Sequence, residues 1–170
     1  MSEVTLRFAT DADLANVAAI HIASWRATYA DELSASYLAS LQVSDRVVLW
    51  RQRLAQGAQL MVAEDAGGAP LGFCASGPSR DIDEPPGVWE IWNIHLSPDQ
   101  KGRGLGSQLF DAGAELGRAR GATQLTLWVV ATNDRARRFY ERKGMTCDGK
   151  EKYVSLADER MHEVRYRKRY

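Results

Sequence analysis

The chain opens on an alternating segment, "VTLRFAT", which predicts a strand with Leu6 and Phe8 on one face. At Thr10 the period changes. Thr10 and Asp13 are spaced like a capping box, and Leu14, Val17, His21 and Trp25 then recur at helical intervals. A second helical stretch runs from about Ser34 to Gln56, with a break near Ser44; Tyr37, Leu38, Leu41, Val47, Trp50 and Leu54 form its apolar stripe. "QLMVAED" and "PLGFCASG" read as two strands joined at "AGGA", a hairpin signal. "RDIDEPPG" is a loop, because two prolines and a glycine stop both regular structures.

"VWEIWNIHL" predicts the next strand, and Leu105, Leu109, Ala112, Gly113 and Leu116 a helix after it. "TQLTLWVV" is apolar on both faces, which places it centrally in a covered sheet. Asn133 caps a further helix carrying Ala136 and Tyr140 on one face and ending at Gly144. Strands over Thr146 to Val154 and His162 to Tyr170 complete the series. The order is β-α-α-β-β-β-α-β-α-β-β. Short early connections favour antiparallel neighbours, and the later strand-helix-strand passage favours one parallel pair through a crossover. The expected class is α/β: a single domain over residues 1–170 with a mixed, mostly antiparallel sheet and helices on both faces.

Composition changes this picture little: 170 residues, 45% hydrophobic and 26% charged, suit one globular domain. Charge distribution adds more. The formal net charge is zero, but residues 1–100 hold 6 Lys/Arg against 13 Asp/Glu, and residues 101–170 hold 16 against 9. Asp81, Asp83 and Glu84 cluster in one acidic loop, and Asp31 and Glu32 in another. Two distant cysteines, Cys74 and Cys147, and three scattered histidines support neither a disulfide framework nor a metal site. The first residues carry an acid and no apolar h-region, and no apolar run approaches membrane-spanning length. The expectation is a cytoplasmic protein with no membrane partner. Nucleic acid is not expected either, since the aromatics do not interleave with the basic run.

The segment with most chemistry is "SPDQKGRGLGSQLF", with Gly102, Gly104 and Gly106 ahead of a helix. Bare backbone at a helix start suits phosphate, because free N–H groups and the helix dipole point at the ligand. A P-loop is excluded because no GK[ST] follows. A dinucleotide fingerprint is excluded because Ser107 sits where the third glycine belongs and the next strand, "LTLWVVAT", ends without an acid.

"IWNIHLSPDQKGRGLGSQLF" followed by "LTLWVVATNDRARRFYERKGM" resembles the GCN5-related N-acetyltransferase (GNAT) superfamily. The first part is similar to its acetyl-CoA motif, Q/R-x-x-G-x-G/A, with Lys101 in place of Gln or Arg and Gly104 and Gly106 matching. The second is similar to N-x-x-A-x-x-F-Y-E-x-x-G-[FM], matched by Asn133, Ala136, Phe139, Tyr140, Glu141, Gly144 and Met145.

The resemblance implies an acetyl-CoA-dependent enzyme acetylating a primary amine by direct attack in a ternary complex, without a metal. It implies backbone groups of Ile94, His95 and Leu96 for the pantetheine arm. The pyrophosphate falls to the loop Lys101, Gly102, Arg103, Gly104, Leu105, Gly106 and Ser107, and a further cofactor contact to Asn133. Tyr140 is then the acid that protonates the leaving thiolate, and Glu90 matches a glutamate that serves many members as base, directly or through water. His95 is a rival base by its ordinary pKa. A subset of the family carries a glutamate where this chain has Trp128. Trp25, Arg26 and Tyr29 fall where the fold lines its acceptor pocket. The partner is a small-molecule or peptide amine, a cationic one if the acidic loops face the pocket; a homodimer is compatible with the fold. The rival class is a non-catalytic acyl-CoA-binding sensor or regulatory module on the same fold.

Overall fold

Thr10 ends the first strand and starts the first helix by donating its backbone N–H to Asp13 Oδ2 at 2.7 Å, half of a capping box. In the computed structural model, which describes residues 3–170, strand β1 spans Thr5–Phe8, and a 3₁₀ turn at Asp11–Asp13 leads into α1, Leu14–Thr28. Leu6 packs against the core as expected, but Phe8 is 51% exposed, because β1 lies on the outer edge of the sheet.

The second helical stretch is two helices, α2 (Ala35–Ser40) and α3 (Val43–Ala55). The chain breaks at Leu41 and Gln42, both extended, rather than near Ser44. Arg26 explains the site of the break: its guanidinium donates to the carbonyls of Leu38 at 3.0 Å and Leu41 at 3.4 Å, capping α2 from α1.

β2 (Gln59–Glu64), β3 (Pro70–Pro78) and β4 (Val88–Leu96) follow, then a 3₁₀ turn at Pro98–Gln100 and α4 (Leu105–Ala119). β5 (Gln124–Val130), α5 (Asp134–Arg142), β6 (Thr146–Leu156) and β7 (Glu159–Arg169) complete the chain. The seven strands run in the order β1-β2-β3-β4-β5-β7-β6, antiparallel throughout except for the parallel β4–β5 pair. β7 thus slots between β5 and β6. This is the single-domain α/β architecture expected, with α1 and α3 on one face and α4 on the other.

Alternation along β3 divides the core between those faces. Phe73 and Ala75 pack with Leu14, Val17 and Trp50 of α1 and α3, whereas Cys74 packs with Leu109 and Phe110 of α4. α4 sits very close to the sheet: a Cβ on Gly113 would stand 2.6 Å from Cys74 Sγ, and one on Gly117 would overlap Trp89. Those contacts turn the buried face of α4 toward Phe110, Ala114 and Gly117, slightly off the stripe read from the sequence.

Candidate active site

Rungs between β4 and β5 run from Val88–Gln124 to Ile91–Leu127 and then stop. Beyond them β4 stays on β3 and β5 stays on β7, so the sheet forks. A bulge bends β4 at this point: Ser76 pairs with Ile91 and Ala75 with Asn93, leaving Trp92 as the extra residue. A cleft of about 670 Å³ fills the fork. The unpaired side of β4, from Asn93 to Leu96, forms one wall. Trp128, Val129 and Val130 form the other, and α1 and α5 close it from opposite sides of the sheet.

The glycine loop stands at one end. Gly102 and Gly104 have φ of 82°, a left-handed conformation that favours glycine. Gly106 is different: it is helical, and an added Cβ would meet nothing nearer than Leu96 Cδ1 at 3.7 Å, ordinary contact. Neither conformation nor packing within the chain calls for glycine there, whereas a close-fitting ligand would. None of the N–H groups from Gly102 to Gly106 donates to a backbone carbonyl, while Ser107 and Gln108 both donate to Gly104. Five unpaired donors thus meet the start of α4, with Lys101, Arg135, Arg142 and Lys143 around the same end of the cleft. This is a site for a polyanion.

Most residues marked by the sequence meet in this cleft. Ile94, His95, Leu96, Lys101, Gly102, Gly104, Gly106, Ser107, Asn133 and Tyr140 line it on the loop and α5 side, and Trp25 and Tyr29 on the α1 side. Four do not line it, Glu90 among them. Leu105 points into the core, 3% exposed, and the Arg103 side chain faces solvent, so either offers the ligand only backbone. Arg26 is turned away to cap α2.

Glu90 requires a larger correction. It pairs with Thr126 in the closed part of the β4–β5 ladder, below the fork, and is 1% exposed. One carboxylate oxygen accepts from the Arg80 backbone N–H at 2.8 Å and the other from the Arg80 guanidinium at 2.6 Å. A base so enclosed does not line the cleft and has no direct path to an amine in it. His95 is a poor substitute. Burial, with Arg53, Arg46 and Lys101 nearby, holds its imidazole down at about 3, far from the pH where a base works well. Its Nδ1 is shared with Ser24 Oγ at 3.0 Å.

Tyr140 lines the cleft as a phenol. Burial pushes its phenol up from the ordinary value, so the hydroxyl keeps its proton at neutral pH. Asn133 fixes the start of α5 by accepting from the Ala136 N–H at 3.2 Å. Glu141, next to Tyr140, accepts from the Tyr166 hydroxyl at 2.9 Å, which anchors α5 on β7. Tyr29 is pushed up to about 12, chiefly by burial.

The acidic loop also reads differently in three dimensions. Arg165 lies 2.9 Å from Glu84, 3.2 Å from Asp81 and 3.2 Å from Asp83, and Arg167 also pairs with Glu84. These acids are paired with β7, and none of the three lines the cleft. One carboxylate does face it: Glu163, also on β7. The sequence carried no motif for Glu163; only insertion of β7 beside β5 brings it opposite Val130.

The family model for the acetyltransferase (GNAT) family matches residues 16–145. The chain therefore belongs to this family and is an acetyl-CoA-dependent N-acetyltransferase. It is 33% identical over 131 residues to the uncharacterized N-acetyltransferase YuaI of Bacillus subtilis, covering 76% of this chain and 73% of that one. The L-methionine sulfoximine/L-methionine sulfone acetyltransferase of Pseudomonas aeruginosa is 29% identical over 109 residues, 64% of this chain and 63% of its own. The structure of PaiA N-acetyltransferase from Thermoplasma acidophilum in complex with coenzyme A superposes with a TM-score of 0.77, covering 99% of each chain at 17% identity. No helix among the described residues is long and apolar enough to cross a membrane.

Proposed function

We propose that the chain passes the acetyl group of acetyl-CoA directly to a primary amine, the two substrates entering the fork from opposite faces of the sheet. The observation that carries this reading is the fork itself. Strand β4 has unpaired backbone groups from Asn93 to Leu96, and these lead straight to the unpaired N–H groups of Gly102–Gly106. The first set would hold the amides of the pantetheine arm, and the second the pyrophosphate, with Lys101 and Arg135 balancing charge.

In this reading the thioester lies near the mouth of the fork, between Tyr140 on the α5 side and Trp25 and Tyr29 on the α1 side. A neutral amine attacks the carbonyl carbon, the carbon–sulfur bond breaks, and Tyr140 gives its proton to the departing sulfur. No acetyl-cysteine intermediate is needed: Cys74 is fully buried, and burial pushes its thiol up to about 12, which makes it a poor nucleophile.

An amino-acid acceptor is a second reading, favoured by the substrate named for the Pseudomonas relative. Release of free thiol from acetyl-CoA, followed with a panel of amines and amino acids, tests the reaction. Amine-dependent thiol release supports transfer. Tight acetyl-CoA binding without turnover of any amine would favour the sensor class instead.

A further inference from the structure

Along β7, Met161, Glu163 and Arg165 share the face turned toward α1. Pairing of Val130 with Glu163 carries that carboxylate to the edge of the fork, on the side opposite Tyr140. Glu163 is the one Asp or Glu among the described residues lining the cleft. Its position is unusual for a carboxylate. The side chain is 23% exposed, and its cationic neighbour, the Lys152 ammonium, stands 3.7 Å away, beyond hydrogen-bond length. Lys152 is also drawn to the Trp128 ring, 4.1 Å from its centroid. A half-buried anion held this loosely has capacity for another donor.

The cleft lining also includes Trp25, Tyr29, Trp92, Trp128 and Met161, of which Met161 lies two residues from Glu163 on the same face of β7 and Tyr29 feels its charge. The cations lining the cleft, Lys101, Arg135, Arg142 and Lys143, belong to the loop and α5 instead. An acceptor carrying its own carboxylate beside the nitrogen would therefore meet the Glu163 charge, offset only by Lys152 and Arg80, which already balance Glu163 itself. An ammonium would meet one carboxylate and several ring faces, the pairing that favours a cation.

We propose that Glu163 binds the acceptor's ammonium group and takes its proton, and that the acceptor is a primary amine on an aromatic or aliphatic body with no carboxylate next to the nitrogen. This rests on the transfer reaction proposed above and assigns it a base and a substrate class. The proton leaves nitrogen for a Glu163 oxygen, and the freed lone pair forms the carbon–nitrogen bond. As the tetrahedral adduct collapses, sulfur leaves with the carbon–sulfur pair and takes the Tyr140 proton. The second proton of the former ammonium restores Tyr140, and the one on Glu163 passes to solvent. Amide, thiol and one released proton balance the reaction.

The groups facing Glu163 suit that role. Burial raises the carboxyl above its ordinary value; Lys152 on β6 and Arg80 in the loop before β4 oppose that, and Glu90 on β4 adds to it. Tyr29, just after α1, feels the same charge. A raised carboxyl is a better match for a proton held by an amine.

The test uses acetyl-CoA with four probes: tryptamine against tryptophan, and phenethylamine against phenylalanine. Wild type, Glu163→Gln, Glu163→Asp and Glu90→Gln are compared from pH 6 to pH 10, with acetyl-CoA affinity measured separately. Each amine is expected to exceed its amino acid in kcat/KM by about tenfold or more, since a second carboxylate beside the nitrogen is repelled by Glu163. Glu163→Gln is expected to lower kcat/KM by about 10²-fold or more near neutral pH. The loss should shrink toward pH 10 as the amine deprotonates itself, with acetyl-CoA affinity unchanged and partial rescue in Glu163→Asp. A wild-type pH profile in Glu163→Gln, with the loss appearing in Glu90→Gln, would overturn the base. Preference for the amino acids, or turnover of none of the four probes by wild type, would overturn the substrate class. Failure of wild type to bind acetyl-CoA would instead defeat the transfer reading, whatever Glu163 does. Should Glu163→Gln not fold, the amine-to-amino-acid preference of wild type still decides the substrate class, and Glu163→Asp the base.

Discussion

Ile91 pairs with Leu127, and the next residues on each strand, Trp92 and Trp128, do not pair with each other. That last rung sets the geometry of the site. Everything on β4 above it has a free side for a ligand, and everything below, Glu90 included, is sealed in the sheet. Acetyl-CoA is therefore expected to slow amide hydrogen exchange in residues 92–96 and 101–107, and to leave β1 and β6 unchanged. Mass-spectrometric exchange with and without the ligand checks this; protection confined to other segments would contradict it.

Tyr140→Phe removes one hydroxyl from a ring packed among Phe110, Phe139 and Tyr166. Little volume changes, so fold and cofactor affinity should persist. Because the phenol is the proposed acid, kcat is expected to fall by about 10²- to 10⁴-fold. Steady-state kinetics beside calorimetric acetyl-CoA titration separates the two effects. An undiminished kcat would remove Tyr140 from the chemistry.

Two buried imidazoles make stability sensitive to mild acid. His21 is 1% exposed, neither ring nitrogen has a hydrogen-bond partner, and its ring lies 4.7 Å from that of His95. Burial lowers both, His95 to about 3. In the unfolded chain each protonates near 6.5, so below that pH the unfolded state gains protons that the fold refuses. Stability is present above about 6.5 and falls as pH drops toward 3, by up to about 1.4 kcal/mol per pH unit for each histidine. Denaturant melts between pH 7 and pH 4.5 should show this, and His21→Leu should halve the slope. An equal slope in the variant would mean that His21 is not held neutral.

Arg165 is 4% exposed and sits among Asp81, Asp83, Glu84 and Asp148, at 2.7 to 3.2 Å. It holds the loop between β3 and β4 onto β7. Arg165→Met strands several poorly exposed carboxylates, which is expected to cost about 3–5 kcal/mol. Asp83 is held below the ordinary carboxylate range chiefly by its hydrogen bond to Arg165. That contribution is present above the unfolded value of about 3.9 and is lost as pH falls. Urea melts of the variant test the claim; a change under about 1 kcal/mol would reduce the cluster to surface pairing.

Much of this was legible in the chain. Strand and helix periods placed every strand and the parallel crossover, and two motifs located the loop, Asn133 and Tyr140. Long-range pairing was not legible. Glu163 reaches the cleft only because β7 enters between β5 and β6, which no local period encodes. The charge split misled for the same reason: Asp81, Asp83 and Glu84 belong to the acidic half but turn away from the cleft to pair with arginines from the basic half. Glu90 matched a family position, yet the β4–β5 ladder runs one rung past it, to Ile91, and so keeps it below the fork.

The central claim, that bare backbone at the start of α4 holds acetyl-CoA, is tested most directly at Gly106. A substitution at Gly104 would mix ligand loss with backbone strain, since φ there is 82°. Gly106 is helical, and a methyl group fits beside Leu96. Calorimetric titration of Gly106→Ala with acetyl-CoA should therefore show a folded protein, melting at or slightly above wild type, whose affinity is lower by about tenfold or more, roughly 1.4 kcal/mol. Wild-type affinity in a folded Gly106→Ala protein would contradict the account.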